Sequence, residues 1–91
     1  MADYNAGLTL GNIQGQKDSS LLLSPSPLTK DNDDTYKLGY RNGYYIGYTQ
    51  GLAAMLKANN NTDLKNLIAT RLNEVSESML KENNKDKQKK Y

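Results

Sequence analysis

The sequence predicts an all-α protein: a helical hairpin with a long extended N-terminal arm, assembled as an oligomer. Three observations lead to this fold class. Acidic residues at 31–34 offer a helix start, apolar residues recur at three- and four-residue steps between 62 and 82, and both prolines lie in the first 33 residues. Strand signals are weak, since the chain has one Val and three Ile and no sustained alternation outside 7–13.

Residues 1–33 are predicted to form the extended arm. Three glycines and the run Ser24-Pro25-Ser26-Pro27 interrupt any helical period. From the sequence alone, we interpret the four-residue step of Gly7, Gly11 and Gly15 as a coincidence. The arm also carries two apolar clusters, which we expect to dock on a partner or, alternatively, to fold back over the chain's own helices. The docking residues are Leu8, Leu10, Ile13, Leu21, Leu22, Leu23 and Leu28.

The first helix is predicted at 34–58, and the second from 61 or 62 to about Glu82. Acidic residues cap the start of the first helix and suit the positive end of its dipole. The triplet at 59–61 ends it, because asparagine tolerates the left-handed conformation. The short connection favours an antiparallel hairpin over 34–82, with one long kinked helix as the alternative. Residues 83–91 are expected to be a basic C-terminal tail that frays.

Glycines and tyrosines follow a four-residue step within the first predicted helix. Glycine in a helix interior costs about 0.5–1 kcal/mol relative to alanine, so four of them cost on the order of 2–4 kcal/mol. Close approach of a neighbouring helix is the usual compensation. The sequence therefore predicts a helix–helix interface with a tyrosine wall, made by Gly39, Gly43, Gly47, Gly51, Tyr36, Tyr40, Tyr44 and Tyr48.

This helix carries apolar residues on both sides of its glycines, and one hairpin partner covers a single side. The other side needs a second chain or the arm, which predicts a homo-oligomer. A membrane helix and a glycine-rich loop are the alternatives for the segment. The polarity of 38–56 counts against the first, and the continuous apolar run 52–56 counts against the second.

Composition limits the chemistry available to the chain. It has no His and no Cys, which removes the commonest metal ligand, the usual general base, the thiol nucleophile and disulfides. We therefore expect a non-enzymatic protein with no catalytic residues, cofactor or metal site. Mean hydropathy is −0.84 and no apolar run is long enough to span a membrane. The N-terminus lacks the pattern of a secretory signal, so the expected location is the cell interior or a virion.

The glycine repeat at 39–51 is similar to repeats in the flagellar and type III secretion stator proteins. Those proteins continue into a longer coiled coil and a globular end, which this sequence does not contain, so their function is not carried over. A broader resemblance is to small tailed-bacteriophage proteins, because the chain is short, free of Cys, and rich in Asn (eleven), Lys (ten) and Tyr (seven). That resemblance implies a virion or assembly component, or an early protein that blocks a host factor.

These features predict a small structural or assembly protein that self-associates through its Gly/Tyr helix face and straps onto a partner with its arm. One alternative is a small inhibitor or binding module that captures a host protein or a ligand. The other is a nucleic-acid accessory protein, in which tyrosines stack on bases while Lys37, Arg41 and lysines within 85–90 meet phosphates. A net charge of only +2 and only two Arg count against nucleic acid.

Overall fold

The computed structural model describes residues 3–29 and 33–89, and these form three helices. They are α1 (Tyr4–Ser20), α2 (Asp34–Ala58) and α3 (Thr62–Lys89). No strand occurs within the described ranges. The predicted all-helical class is confirmed, but the described residues form one helix more than the sequence indicated.

The prediction of an extended arm is wrong for residues 4–20, which form α1. The helix begins after Asp3, whose carboxylate accepts a hydrogen bond of 2.8 Å from the Ala6 amide. It ends in a Schellman-type turn, in which the Leu22 amide donates to the Ser19 carbonyl and the Leu23 amide to the Asp18 carbonyl. Leu22 occupies the left-handed position with φ of 56°, where glycine is usual. Residues 23–29 then continue without regular secondary structure.

The ends of α2 lie where the sequence placed them. The Asp33 carboxylate accepts hydrogen bonds from the amides of Thr35 and Tyr36, at 2.8 and 3.1 Å. The helix closes differently from the prediction, because Asn59 is extended (φ −126°, ψ 141°) rather than left-handed. Its side-chain amide instead donates to the Met55 carbonyl at 2.8 Å and so satisfies one of the terminal carbonyls.

Helix α3 begins after Asn61, whose side chain accepts a hydrogen bond of 3.0 Å from the Leu64 amide. The predicted end near Glu82 is too early, since the helical backbone continues to Lys89. Lysine and glutamine, which make up four of the seven residues of 83–89, are good helix formers, so the basic composition of this segment does not break the helix. Residues 90 and 91 of the predicted tail lie outside the described residues.

Helix α2 lies between the other two helices. One of its faces packs closely on α1, and the other meets α3 through the Arg41–Glu82 ion pair (3.0 Å) and a hydrogen bond between the hydroxyls of Tyr45 and Ser78 (2.8 Å). Residues further along α2 thus contact residues earlier in α3, so these helices run in opposite directions where they touch. The buried core consists of Tyr44, Tyr45, Tyr48, Leu52, Ile68 and Val75.

Candidate interaction site

The glycines of α1 lie against the main chain of α2. A Cβ atom on Gly7 would lie 2.8 Å from the Tyr40 amide nitrogen, and one on Gly15 would lie 2.7 Å from the Tyr48 nitrogen. At Gly11 the same atom would be 2.8 Å from the Tyr40 carbonyl carbon. Because Cβ atoms essentially never approach other atoms this closely, the two helices can adopt this separation only where α1 has glycine.

The glycines of α2 make the same contacts in return. A Cβ on Gly39 would lie 3.0 Å from the Leu8 nitrogen, and one on Gly43 would lie 2.8 Å from the Leu8 carbonyl carbon. On Gly47 it would lie 2.9 Å from the Asn12 carbonyl carbon. The groove predicted for a neighbouring helix is therefore filled by α1 of the same chain, whereas the sequence left a second chain and the N-terminal arm as the two alternatives. The contact is between main chains, as in close-packed glycine helices.

The two helices are parallel and related by an approximate two-fold axis. Residues further along α1 contact residues further along α2, so the two helices run in the same direction. Adding 32 to the α1 residue of a contact and subtracting 32 from its α2 residue gives an equivalent contact. The contact of Gly7 with Tyr40, for example, corresponds to that of Gly39 with Leu8. The sequence shows the same shift, since Tyr4, Gly7, Gly11 and Gly15 correspond to Tyr36, Gly39, Gly43 and Gly47. The interpretation of the first glycine series as coincidence is wrong. It is one half of a pseudo-symmetric interface.

The last position of the repeat breaks the glycine pattern. Gly51 corresponds to Ser19, which is fully buried against it and donates a hydrogen bond of 3.0 Å to the Gln16 carbonyl. A Cβ on Gly51 would collide with the Ser19 hydroxyl. A small residue opposite a glycine thus keeps the helices close at this end.

The predicted tyrosine wall is a continuous stack of rings along α2. Successive ring centroids are separated by 6.3, 6.4 and 5.7 Å, in the range of offset-stacked aromatic pairs. The deepest rings belong to Tyr44 and Tyr48, which are fully buried. The stack consists of Tyr36, Tyr40, Tyr44 and Tyr48.

The hydroxyls of the two buried tyrosines hold the segment that connects α1 to α2. The Tyr44 hydroxyl donates to the Asp18 carboxylate at 2.5 Å and accepts from the Ser26 amide at 2.9 Å. The Tyr48 hydroxyl donates to the Leu23 carbonyl. Asp18 is itself buried and also accepts from the Gln14 side-chain amide at 2.7 Å, so its carboxylate is satisfied by two donors.

Burial shifts the ionisation of these tyrosines. Desolvation raises the pKa of Tyr48 to about 12. It also raises the pKa of Tyr44, and the hydrogen bond to Asp18 raises that pKa further because it favours the protonated phenol. Desolvation is likewise the main cause of the raised pKa of Tyr40. All three phenols are therefore neutral at physiological pH, and those of Tyr44 and Tyr48 act there as hydrogen-bonding groups.

Helix α3 fastens the other side of the connecting segment. The Arg71 Nε donates to the Leu22 carbonyl at 2.7 Å, and its Nη1 pairs with Glu74 at 2.8 Å. The Ser24 hydroxyl donates to the same glutamate at 3.3 Å. The segment is thus held between the tyrosine stack and α3. Sequence reasoning assigned no role to Asp18, Arg71 or Glu74, because the partners that connect them to other parts of the fold lie 26 to 50 positions away in the chain.

The residues suggested for nucleic-acid contact are largely engaged within the chain. Tyr44 and Tyr48 present no exposed ring, and the guanidinium of Arg41 is paired with Glu82. Lys37 is exposed, and the side chains of the lysines at 85–90 lie outside the described residues. The half-buried rings of the stack are those of Tyr36 and Tyr40, on the same helix as Lys37.

The predicted docking residues are not brought together. Leu22 packs against the core and Leu8 is half-buried beside the glycine interface. Leu10 and Ile13 project from α1 and are 49% and 58% exposed. The remaining three lie exposed on the turn and the connecting segment: Leu21, Leu23 and Leu28.

Comparisons with known proteins give no identification: no family model, curated protein or solved structure matches the chain. Among the described residues no group of three His, Cys, Asp or Glu could hold a metal ion. None of the helices there combines the length and apolar character needed to cross a membrane. The fold and its surfaces therefore carry the functional argument.

The glycine interface predicts that Gly11→Ala destabilises the protein. Alanine normally stabilises a helix by about 1 kcal/mol relative to glycine. Here the added methyl group would meet the Tyr40 main chain, so the helices must separate, and we expect a net loss of about 1–3 kcal/mol in the free energy of unfolding. Urea unfolding followed by circular dichroism measures it. The control is Ala53→Gly at an exposed position, which should lose about 1 kcal/mol. A more stable Gly11→Ala variant would contradict the interface.

The Tyr44 hydroxyl network predicts that Tyr44→Phe destabilises the fold although the ring is retained. The change leaves the buried Asp18 carboxylate with one donor fewer and the Ser26 amide without its acceptor. We expect a loss of about 1.5–3 kcal/mol, as for hydrogen bonds to charged groups. The matched control is Tyr36→Phe, whose hydroxyl has no hydrogen bond within the described ranges. Equal stability losses for the two variants would show that the network contributes nothing.

The raised tyrosine pKa values predict alkaline unfolding. A phenol in the unfolded chain ionises near pH 10, whereas folded Tyr48 holds its proton to about pH 12. Its contribution to stability is therefore fully present below pH 10 and is lost as the pH rises toward 12. Unfolding free energies measured across this range should fall less steeply in Tyr48→Phe than in the parent chain. Parallel pH profiles for the two proteins would refute this assignment.

Proposed function

We propose that the protein is a small non-enzymatic structural protein that self-associates through apolar side chains outside the glycine interface. One observation carries the proposal. In the described part of the chain, eleven large apolar side chains are 37–77% exposed, whereas the buried apolar core has six residues. Scattered single exposures are ordinary, but a surplus over the core in so small a domain is typical of an association surface.

The small size of the chain supports association as an additional source of folding stability. A domain of 91 residues buries a modest fraction of its surface, and the chain has no Cys for disulfides. The glycine face of α2 does not serve this purpose, because α1 occupies it. The self-associating surface we propose is therefore different from the Gly/Tyr face that the sequence suggested. An assembly component of a larger particle, as the resemblance to small phage proteins implies, is the setting we propose for it.

In the alternative function, the same exposed side chains bind an unrelated protein. Measurements of the oligomeric state distinguish this alternative from self-association. If copies associate, the mass measured by light scattering should rise with protein concentration toward that of a dimer or larger species. The thermal midpoint should rise with concentration as well, because association stabilises the folded state by mass action. A monomer mass and a constant midpoint at every concentration would contradict the proposal and favour the binding module.

A further inference from the structure

The side of α1 that points away from α2 carries a defined stripe, which we call the outer face of α1. Its members recur at steps of three and four residues and so share one side of the helix. At 100° per residue its helical members lie about 100–160° around the helix from the glycine line, and the N-cap residue of α1 precedes them. The outer face consists of Asp3, Ala6, Leu10, Ile13 and Lys17.

The pseudo-two-fold axis indicates what this face can hold. The shift of 32 residues relates Ile13 to Tyr45, one of the residues through which α2 contacts α3. Tyr45 is 7% exposed beneath α3, whereas Ile13 is 58% exposed. The surface of α1 around Ile13 is thus equivalent to a part of α2 that α3 covers, and among the described residues no helix packs on it.

The charges on the outer face indicate which partner it binds. An acidic residue, Asp3, stands at its N-terminal end, a basic one, Lys17, stands at its C-terminal end, and apolar residues lie between them. If a second copy packs antiparallel on this face, Lys17 of each copy falls near Asp3 of the other. A parallel arrangement would instead place like charges together. The face is therefore self-complementary under a two-fold axis, as an isologous dimer interface requires.

We propose that the outer face of α1 is a homodimer interface, in which α1 packs antiparallel on α1 of a second copy. The two-fold axis passes between Leu10 and Ile13, so Leu10 of one copy contacts Ile13 of the other. Each Lys17 lies beside Ala6 of the second copy and reaches toward Asp3. Antiparallel helix dipoles add to the attraction. This inference rests on the proposed self-association and names its surface.

The surface is tested by comparing Ile13→Gln with Ile46→Gln in sedimentation experiments on the full chain. Both residues are exposed on helices, at 58% and 45%, so neither change disturbs the core. Ile13→Gln should weaken dimerisation by at least about tenfold, the equivalent of about 1.4 kcal/mol. Ile46→Gln should leave it unchanged. Self-association unaffected by Ile13→Gln overturns this inference but keeps the proposed function, whereas a parent chain that stays monomeric overturns both.

The orientation is tested by cross-linking, since the chain has no native Cys. Oxidation of a mixture of Leu10→Cys and Ile13→Cys proteins should give the mixed disulfide as the main product. Lys17→Cys alone should not cross-link, because in the antiparallel dimer its two copies are about 16 Å apart along the axis, beyond the about 7 Å that a disulfide allows. Efficient cross-linking of Lys17→Cys would show a parallel pair and overturn the proposal.

The charge pairing is tested by Asp3→Asn, which keeps a good N-cap for α1 while removing the charge. We expect dimerisation to weaken several-fold at low salt and to match the parent chain at high salt, where surface charges are screened. An effect that is the same at both salt concentrations, or no effect at either, would remove the electrostatic basis for the antiparallel arrangement.

Discussion

Contact between the main chains of α1 and α2 is the constraint on which the rest of the structure depends. Six interior glycines cost on the order of 3–6 kcal/mol in helix propensity, and the chain carries that cost at the positions where a Cβ would touch the opposite backbone. The compensation is a long seam of close van der Waals contact, whose individual terms are small but add along the helices. At these six positions a side chain would not fit between the two backbones, so glycine fixes the short distance between the helices.

The parallel direction of the two helices has a consequence for the chain between them. A helix of 17 residues is about 25 Å long, and the connection must return over that distance before α2 can begin. The tyrosines beside the glycines make this return a defined structure. Their rings fill the core, while the hydroxyls of Tyr44 and Tyr48 bind the connecting segment from one side and Arg71 binds it from the other. The glycine contact fixes the position of the tyrosine row beside α1. The hydroxyls of that row then fix the position of the connecting segment through hydrogen bonds.

The helices α2 and α3 could be predicted because their start signals are local: Asp33 and Asn61 cap them through residues two or three positions away. Helix α1 has an equally local cap at Asp3, but its three glycines make it a poor helix by itself, and its stability comes from its contact with α2. A second signal was present in the sequence, namely the spacing shared by Tyr4 and its glycines with Tyr36 and its glycines 32 residues later. Partners such as Asp18 and Arg71 depend on how the helices are arranged in space, which no local pattern encodes.

The most direct test of this account measures the direction of α1 relative to α2 with pairs of spin labels on the otherwise cysteine-free chain, diluted with unlabelled protein. Asn5, Lys37 and Ala53 are exposed and accept labels without disturbing the core. Parallel packing predicts a narrow, short distance between labels at 5 and 37. Labels at 5 and 53 should be farther apart, since residue 53 lies about 24 Å further along α2. The reverse order of distances, or broad distributions typical of an unstructured arm, would contradict the glycine-packed parallel pair.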